Sequence, residues 1–280
     1  VFFILCKLIL QILFTNKIPY FYFRLKKIYR NGLPDIVGVI ILFVVGAVAA
    51  FINVNAGGGS SLTLPVLIFL GLDPSVANGT NRVAIIFQNI SAVYSFKSEK
   101  FYDLKNSLIL SALTLPGAIA GAIIAVRISD DLFEKILAVV MILIIITMLL
   151  PKKKTDKTKS DFSVDWKITL SMIVVGFYGA FIQVGVGFLL MASFQYLMKL
   201  DLIRINMHKV FVVLVFTVPA LLVFILTDNI NWYYGLTLSA GNVFGGWWGA
   251  KMSVKKGEKL IKFVLIIAIF IMALKLLNIY

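Results

Sequence analysis

Apolar residues run along this chain in long, unbroken blocks. The stretches 36–54 (IVGVIILFVVGAVAAFINV) and 108–126 (LILSALTLPGAIAGAIIAV) are each 19 residues without a charge. Crossing a hydrocarbon core of ~30 Å takes about 20 predominantly apolar residues in a helix. The blocks and the polar punctuation between them predict helices over 34–54, 60–71, 75–96, 106–127 and 132–150. Five more follow over 166–183, 187–199, 203–226, 231–250 and 257–277. Two of the ten, 60–71 and 187–199, are short, about half the length of a straight span if helical. The pattern defines an all-α polytopic membrane protein.

Displacing the sequence by 128 positions superimposes one set of five helices on the other. Gly57 then meets Gly185, Gly59 meets Gly187, Leu72-Asp73 meets Leu200-Asp201 and Asn78 meets Asn206. Gly117 and Gly121 meet Gly245 and Gly249, so the same helix of each half carries G-x-x-x-G. Matches in fixed register imply two homologous repeats, over 34–150 and 166–280. The lysine-rich stretch 151–165, beginning PKKKTDKTKSD, reads as a solvated cytoplasmic linker between them. Residues 1–33 lack the basic start and small-residue cleavage site of a signal peptide. They read as an amphipathic interfacial segment or an extra span.

Charge adds an orientation. The loop after the third helix is basic in the first half (Lys97, Lys100, Lys105), whereas its counterpart carries only Asp228. The next loop reverses the bias, with Asp130, Asp131 and Glu134 against Lys251, Lys255, Lys256 and Lys259. Lysine and arginine collect on the cytoplasmic side, so opposite bias on equivalent loops predicts an inverted repeat. About five helices per half, one of them short and discontinuous, satisfy that arrangement. Arg24, Lys26, Lys27 and Arg30 then fall outside; treating the short segments as re-entrant repairs this but moves Lys255 and Lys256 outside instead.

The short segments are where chemistry concentrates. The first is entered through NAGGGSS, which contains Asn55, Gly57, Gly58, Gly59, Ser60 and Ser61. A helix N-terminus presents unpaired N–H groups and about half a positive charge, and bare glycine backbone lets a ligand approach them. Chemically this is an anion site, with Ser60 and Ser61 offering hydroxyls. The second half repeats it at QVGVGF, with Gln183, Gly185 and Gly187. Close helix packing is the plainer use of glycine in membranes, and is the reading adopted for Gly117, Gly121, Gly245 and Gly249. Shortly afterwards come Asn78, Thr80, Asn81 and Arg82 in the first half, and Asn206, His208 and Lys209 in the second. These cations either snorkel to headgroups or complete a shared polar site.

Composition then narrows the class. The chain is 60% hydrophobic and 14% charged with a net charge of +14, against about 45–50% and 25% for soluble domains. The basic residues sit between apolar blocks, which points to membrane orientation and not to nucleic acid. One cysteine and one histidine rule out disulfide frameworks and the usual zinc sites, so no metal or cofactor is expected. All 13 acidic residues fall in loops, at helix ends or in the linker. A cation pathway usually buries Asp or Glu, so the expected partner is a small anion within a lipid bilayer. No nucleophile with an oriented base stands in any apolar block, which argues against an enzyme.

With these residues assembled, the chain resembles the TauE/SafE family of sulfite exporters. The resemblance rests on NAGGGSSLTLPVLIFLGLDPSVANGTNR and on GFYGAFIQVGVGFLLMASFQYLMKLDLIRINMHKVF, within 34–277. The second half departs from the pattern where Val186 interrupts the glycines and Met207-His208 replace Gly79-Thr80. The resemblance implies transport of sulfite, sulfonates or related anions across a bacterial inner membrane, by export or exchange. A passive anion channel, or a non-transport binding protein or enzyme, are the alternatives. Oligomeric state is not encoded in any recognisable pattern.

Overall fold

The computed structural model describes residues 36–149 and 164–254, and these contain nine helices. The predicted helix over 257–277, residues 1–33 and most of the linker lie outside the described residues. In chain order the helices are α1 (Ile36–Ala56), α2 (Ser60–Phe69), α3 (Pro74–Ser98), α4 (Leu104–Ala125) and α5 (Asp130–Leu149). The second half contributes α6 (Trp166–Phe181), α7 (Val186–Tyr196), α8 (Leu202–Leu226) and α9 (Trp232–Ser253). Among the described residues, α1, α4 and α8 combine the length and apolar composition of a membrane span. At ~1.5 Å per residue, the 10 residues of α2 and 11 of α7 reach only about half of a bilayer core.

Local chemistry sets most of the boundaries. Asp103, Asp165, Asp201 and Asn231 each cap a helix by accepting a backbone N–H, at 3.2 Å from Asn106 N, 2.9 Å from Ile168 N, 3.0 Å from Arg204 N and 3.0 Å from Tyr234 N. Pro74 opens α3, where a missing N–H costs nothing. α2 stops at Phe69, before the predicted residue 71, because Gly71 turns the chain at φ +93°. α6 ends at Phe181, two residues before its predicted end. Gln183 and Gly185 both take left-handed φ, +63° and +73°, so the break starts before the glycines.

The packing is reciprocal between halves. α9 lies along α1, with Gly241, Gly245 and Gly249 meeting Phe43, Ala47 and Phe51 in turn. α4 lies along α6, with Gly117 and Gly121 meeting Ile173 and Phe177. A Cβ on Gly117 would come within 1.9 Å of the Ile173 carbonyl oxygen, and one on Gly245 within 2.0 Å of that of Ala47. The G-x-x-x-G glycines are therefore packing devices, as expected. α3 also runs alongside α9: Thr80 meets Asn231, Ser91 meets Val243 and Ser95 meets Trp247. In each pair the contacts advance together, so α1, α3 and α9 run parallel to one another, and α4 runs parallel to α6.

The outside of this bundle is apolar, and its core, though mostly apolar, also buries polar side chains. Leu143, Leu222, Leu226, Phe244 and Trp248 are exposed, while Asn78, Thr80, Asn81, Arg82, Gln88 and Asn89 on α3 are buried. A soluble protein rarely exposes so many large apolar side chains together. This surface fits lipid.

Candidate functional site

Two broken helices define the site. At the first break α1 gives way to α2 through Gly57, whose φ of +87° suits glycine alone. Its N–H still reaches back to Asn53 O at 2.9 Å. Ser61 N and Leu62 N bond to Gly58 O and Gly59 O at 3.1 and 2.9 Å, which starts α2. Among the described residues no carbonyl receives the amides of Gly58, Gly59 and Ser60. All three residues are buried, so this helix start keeps free donors away from bulk water.

The second break runs from Ile182 to Gly185. Val186 N and Phe188 N bond Gln183 O and Gly185 O at 3.4 and 2.9 Å, and the Tyr178 hydroxyl donates to Val184 O at 2.6 Å. The two breaks meet. A Cβ on Gly57 would stand 2.5 Å from the Gly187 backbone, and one on Gly187 would stand 2.3 Å from Gly57 Cα. The paired glycine turns are in direct contact, with no space for a ligand between those two residues.

Each cation crosses to the opposite half. Arg82, on α3, is fully buried beneath the C-terminus of α6. Its Nη1 donates to Gln183 Oε1 at 2.8 Å and Gly179 O at 3.3 Å. Its Nη2 donates to Ala180 O, to Asn78 Oδ1 at 3.3 Å and to Phe181 O at 3.5 Å. The guanidinium also stacks 4.7 Å from the Phe224 ring centre. Lys209, on α8, donates to Val54 O at the C-terminus of α1 and to Asn206 Oδ1, both at 2.8 Å. A cation at a helix C-terminus complements its negative end, and neither side chain snorkels.

The remaining predicted residues divide accordingly. Asn78 Nδ2 donates to Phe181 O at 2.9 Å, alongside Arg82. Asn206 Nδ2 donates to Ser253 Oγ at 2.8 Å, alongside Lys209. Asn81 Oδ1 accepts from Thr63 Oγ1 at 2.7 Å, placing this amide on the first turn of α2 with Nδ2 unpartnered. Ser61 Oγ and Arg82 Nε are likewise buried without a partner. Three residues face elsewhere. Asn55 Nδ2 ties α1 to Gly249 O at 3.1 Å, Thr80 Oγ1 accepts from Asn231 N at 2.9 Å, and His208 Nδ1 pairs with Ser107 Oγ at 2.8 Å. Thr63, Phe224 and Ser107 were not anticipated. Ser107, Ser111 and Thr114 follow i, i+4, i+7 spacing in an apolar block, a signal that marks one polar helix face.

A multi-pass helical protein with two opposed half-helix starts, each beside a cation-capped helix end, has the build of a membrane transporter. The sequence profile described as Sulfite exporter TauE/SafE matches residues 42–276. The chain belongs to that family. It is 29% identical to "Probable membrane transporter protein YfcA" of Escherichia coli K12, over 87% of this chain and 90% of the relative. Identity to "Probable membrane transporter protein ORF9" of Sinorhizobium is also 29%, over 84% and 91%. For "Probable membrane transporter protein YunE" of Bacillus subtilis it is 24%, over 85% and 97%. No solved structure matches the chain.

Proposed function

We propose that the protein carries small oxyanions, such as sulfite, sulfonates and related species, across the bacterial inner membrane, with export as the direction. One observation carries this reading. Arg82 is a fully enclosed cation whose protein partners are all neutral oxygens, and its Nε donor is left over. An enclosed ion costs several kcal/mol unless it is compensated, and helix-end carbonyls supply only about half a charge. The free amides of Gly58–Ser60, Ser61 Oγ and Asn81 Nδ2 add donors at the first break, which touches the second through Gly57 and Gly187. Among the described residues no carboxylate lies within ion-pair distance of Arg82. An anion would complete this neighbourhood.

Alternating access follows from two halves of opposite orientation, 34–150 and 166–280, joined by a cytoplasmic linker. Its support is the reciprocal packing: α1 runs alongside α9 of the second half, and its counterpart α6 runs alongside α4 of the first. Rocking one half on the other would part Gly57 from Gly187 and open the donors to one side. Direct contact between those glycines favours a gated carrier over a continuously open channel.

Flux of sulfite, sulfate, methanesulfonate and acetate into sealed vesicles tests the reading. Ser61→Ala removes a hydroxyl that has no protein partner, so folding should be unchanged. Apparent affinity should fall about fivefold, as for loss of one hydrogen bond of ~1 kcal/mol. Equal flux of every anion in protein-free vesicles, or an unaltered affinity in Ser61→Ala, would count against it.

A further inference from the structure

The anion reading leaves one buried polar cluster unexplained. His208, only 2% exposed, stands near the start of α8 with Nδ1 2.8 Å from Ser107 Oγ on α4. Ser107 is also part of the wall of a cleft, together with Phe96, Tyr102, Asp103, Met207 and Phe211. The cleft wall thus carries both the half-buried Asp103 and the serine whose hydroxyl holds the imidazole. Deeper along the same helix face, Ser111 Oγ bonds Ser107 O and Thr114 Oγ1 bonds Ser111 O, each at 2.6 Å.

We propose that His208 is a proton-binding site, loaded from the aqueous phase through the Asp103–Ser107 cleft and linked to anion binding through Lys209. Histidine alone has an unperturbed pKa that lets it change charge between pH 5 and 8, and this chain has one. The charged groups that act on the ring are Asp103 ahead of α4, Asp201 ahead of α8 and Arg204 on α8. Arg204 and Asp201 pair with each other at 3.3 Å, while no cation lies within ion-pair distance of Asp103 among the described residues. Phe194 of α7 closes the other side, its ring centre 6.2 Å from the imidazole. Lys209 follows His208 in the chain and holds the end of α1, one turn before the free amides of the first break. A proton on His208 adds positive charge one residue from the cation that caps α1. An anion should then bind more tightly when His208 is protonated, and by reciprocity should raise its proton affinity.

The protonation half stands alone, whereas the coupling half rests on the anion reading. The sole histidine gives a single labelled imidazole signal in protein purified without a histidine tag. Nuclear magnetic resonance in lipid nanodiscs should show it taking up a proton reversibly as the pH is lowered from 8. Its midpoint should rise on adding methanesulfonate, whose own charge is constant over that range, and Ser107→Ala should displace the Nδ1 resonance. Methanesulfonate affinity should increase about fivefold from pH 8 to pH 5 in the parent, and stay flat in His208→Gln. An imidazole locked in one charge state overturns the site. A pH profile that survives His208→Gln overturns the coupling. A titrating His208 in a parent that binds no methanesulfonate or sulfate removes the anion reading and the coupling with it, but not the proton site.

Discussion

The two helix breaks use one device with unequal strength. At the end of α6, Arg82 spreads a planar fork over Gly179, Ala180 and Phe181 while holding Gln183 and lying against Phe224. At the end of α1, Lys209 places an ammonium between Val54 O and Asn206 Oδ1. Guanidinium is rigid and many-handed, whereas ammonium is a compact point charge. The comparison teaches that equivalent positions in duplicated halves can keep a role while diverging in how firmly they perform it.

Substitutions at the breaks test that asymmetry. The largest effect should come from Gly59→Val, because even a Cβ there would lie 2.0 Å from the Ala49 carbonyl oxygen. Backbone must move, and a loss above about 3 kcal/mol should appear as absent monodisperse protein in detergent chromatography. Near-normal yield would mean that the first break is looser than described.

Arg82→Gln comes next. It removes several charge-assisted bonds from three buried carbonyls and should cost about 3–5 kcal/mol, read as a lowered thermal unfolding temperature. Lys209→Gln should cost less, about 1.5–3 kcal/mol. A larger loss for Lys209→Gln than for Arg82→Gln would reverse the proposed ranking. Arg82→Lys should recover little stability, since an ammonium cannot span the three carbonyls, while Lys209→Arg should be tolerated better.

Asn78→Ala and Asn206→Ala should be the mildest, near 1 kcal/mol each. They sharpen the comparison through double-mutant cycles with their cations. Arg82 has five other contacts, so its coupling to Asn78 should be the weaker. The Lys209–Asn206 bond is the shorter, 2.8 Å against 3.3 Å for Arg82–Asn78, so that pair should couple more strongly.

Much of this was legible along the chain. The 128-residue displacement that pairs Gly57 with Gly185 finds both breaks, and both residues adopt left-handed φ. Predicted helix limits fall within a few residues of those observed, because caps such as Asp201 and breakers such as Gly71 act locally. Partner choice was not legible. Arg82 bonds residues 97–101 positions away, and Lys209 bonds Val54 155 positions away. No local period encodes which helix end a buried cation will cap. The same limit applies to Thr80, whose register beside Asn81 hides its bond to Asn231 on α9. The crossing of cations between halves emerges only from the tertiary arrangement.

That crossing also sets an order in time. When the ribosome completes α6, Arg82 has already been made, and the carbonyls of Gly179 and Phe181 can find their partner at once. The end of α1 has no such luck: Lys209 emerges 155 residues after Val54. At ~5–20 residues per second, the wait is roughly 8–30 s. During that interval the first break stands uncapped in the translocating chain, open to lipid headgroups, water or a chaperone. The second half therefore arrives with its partner in place, and the first is finished last.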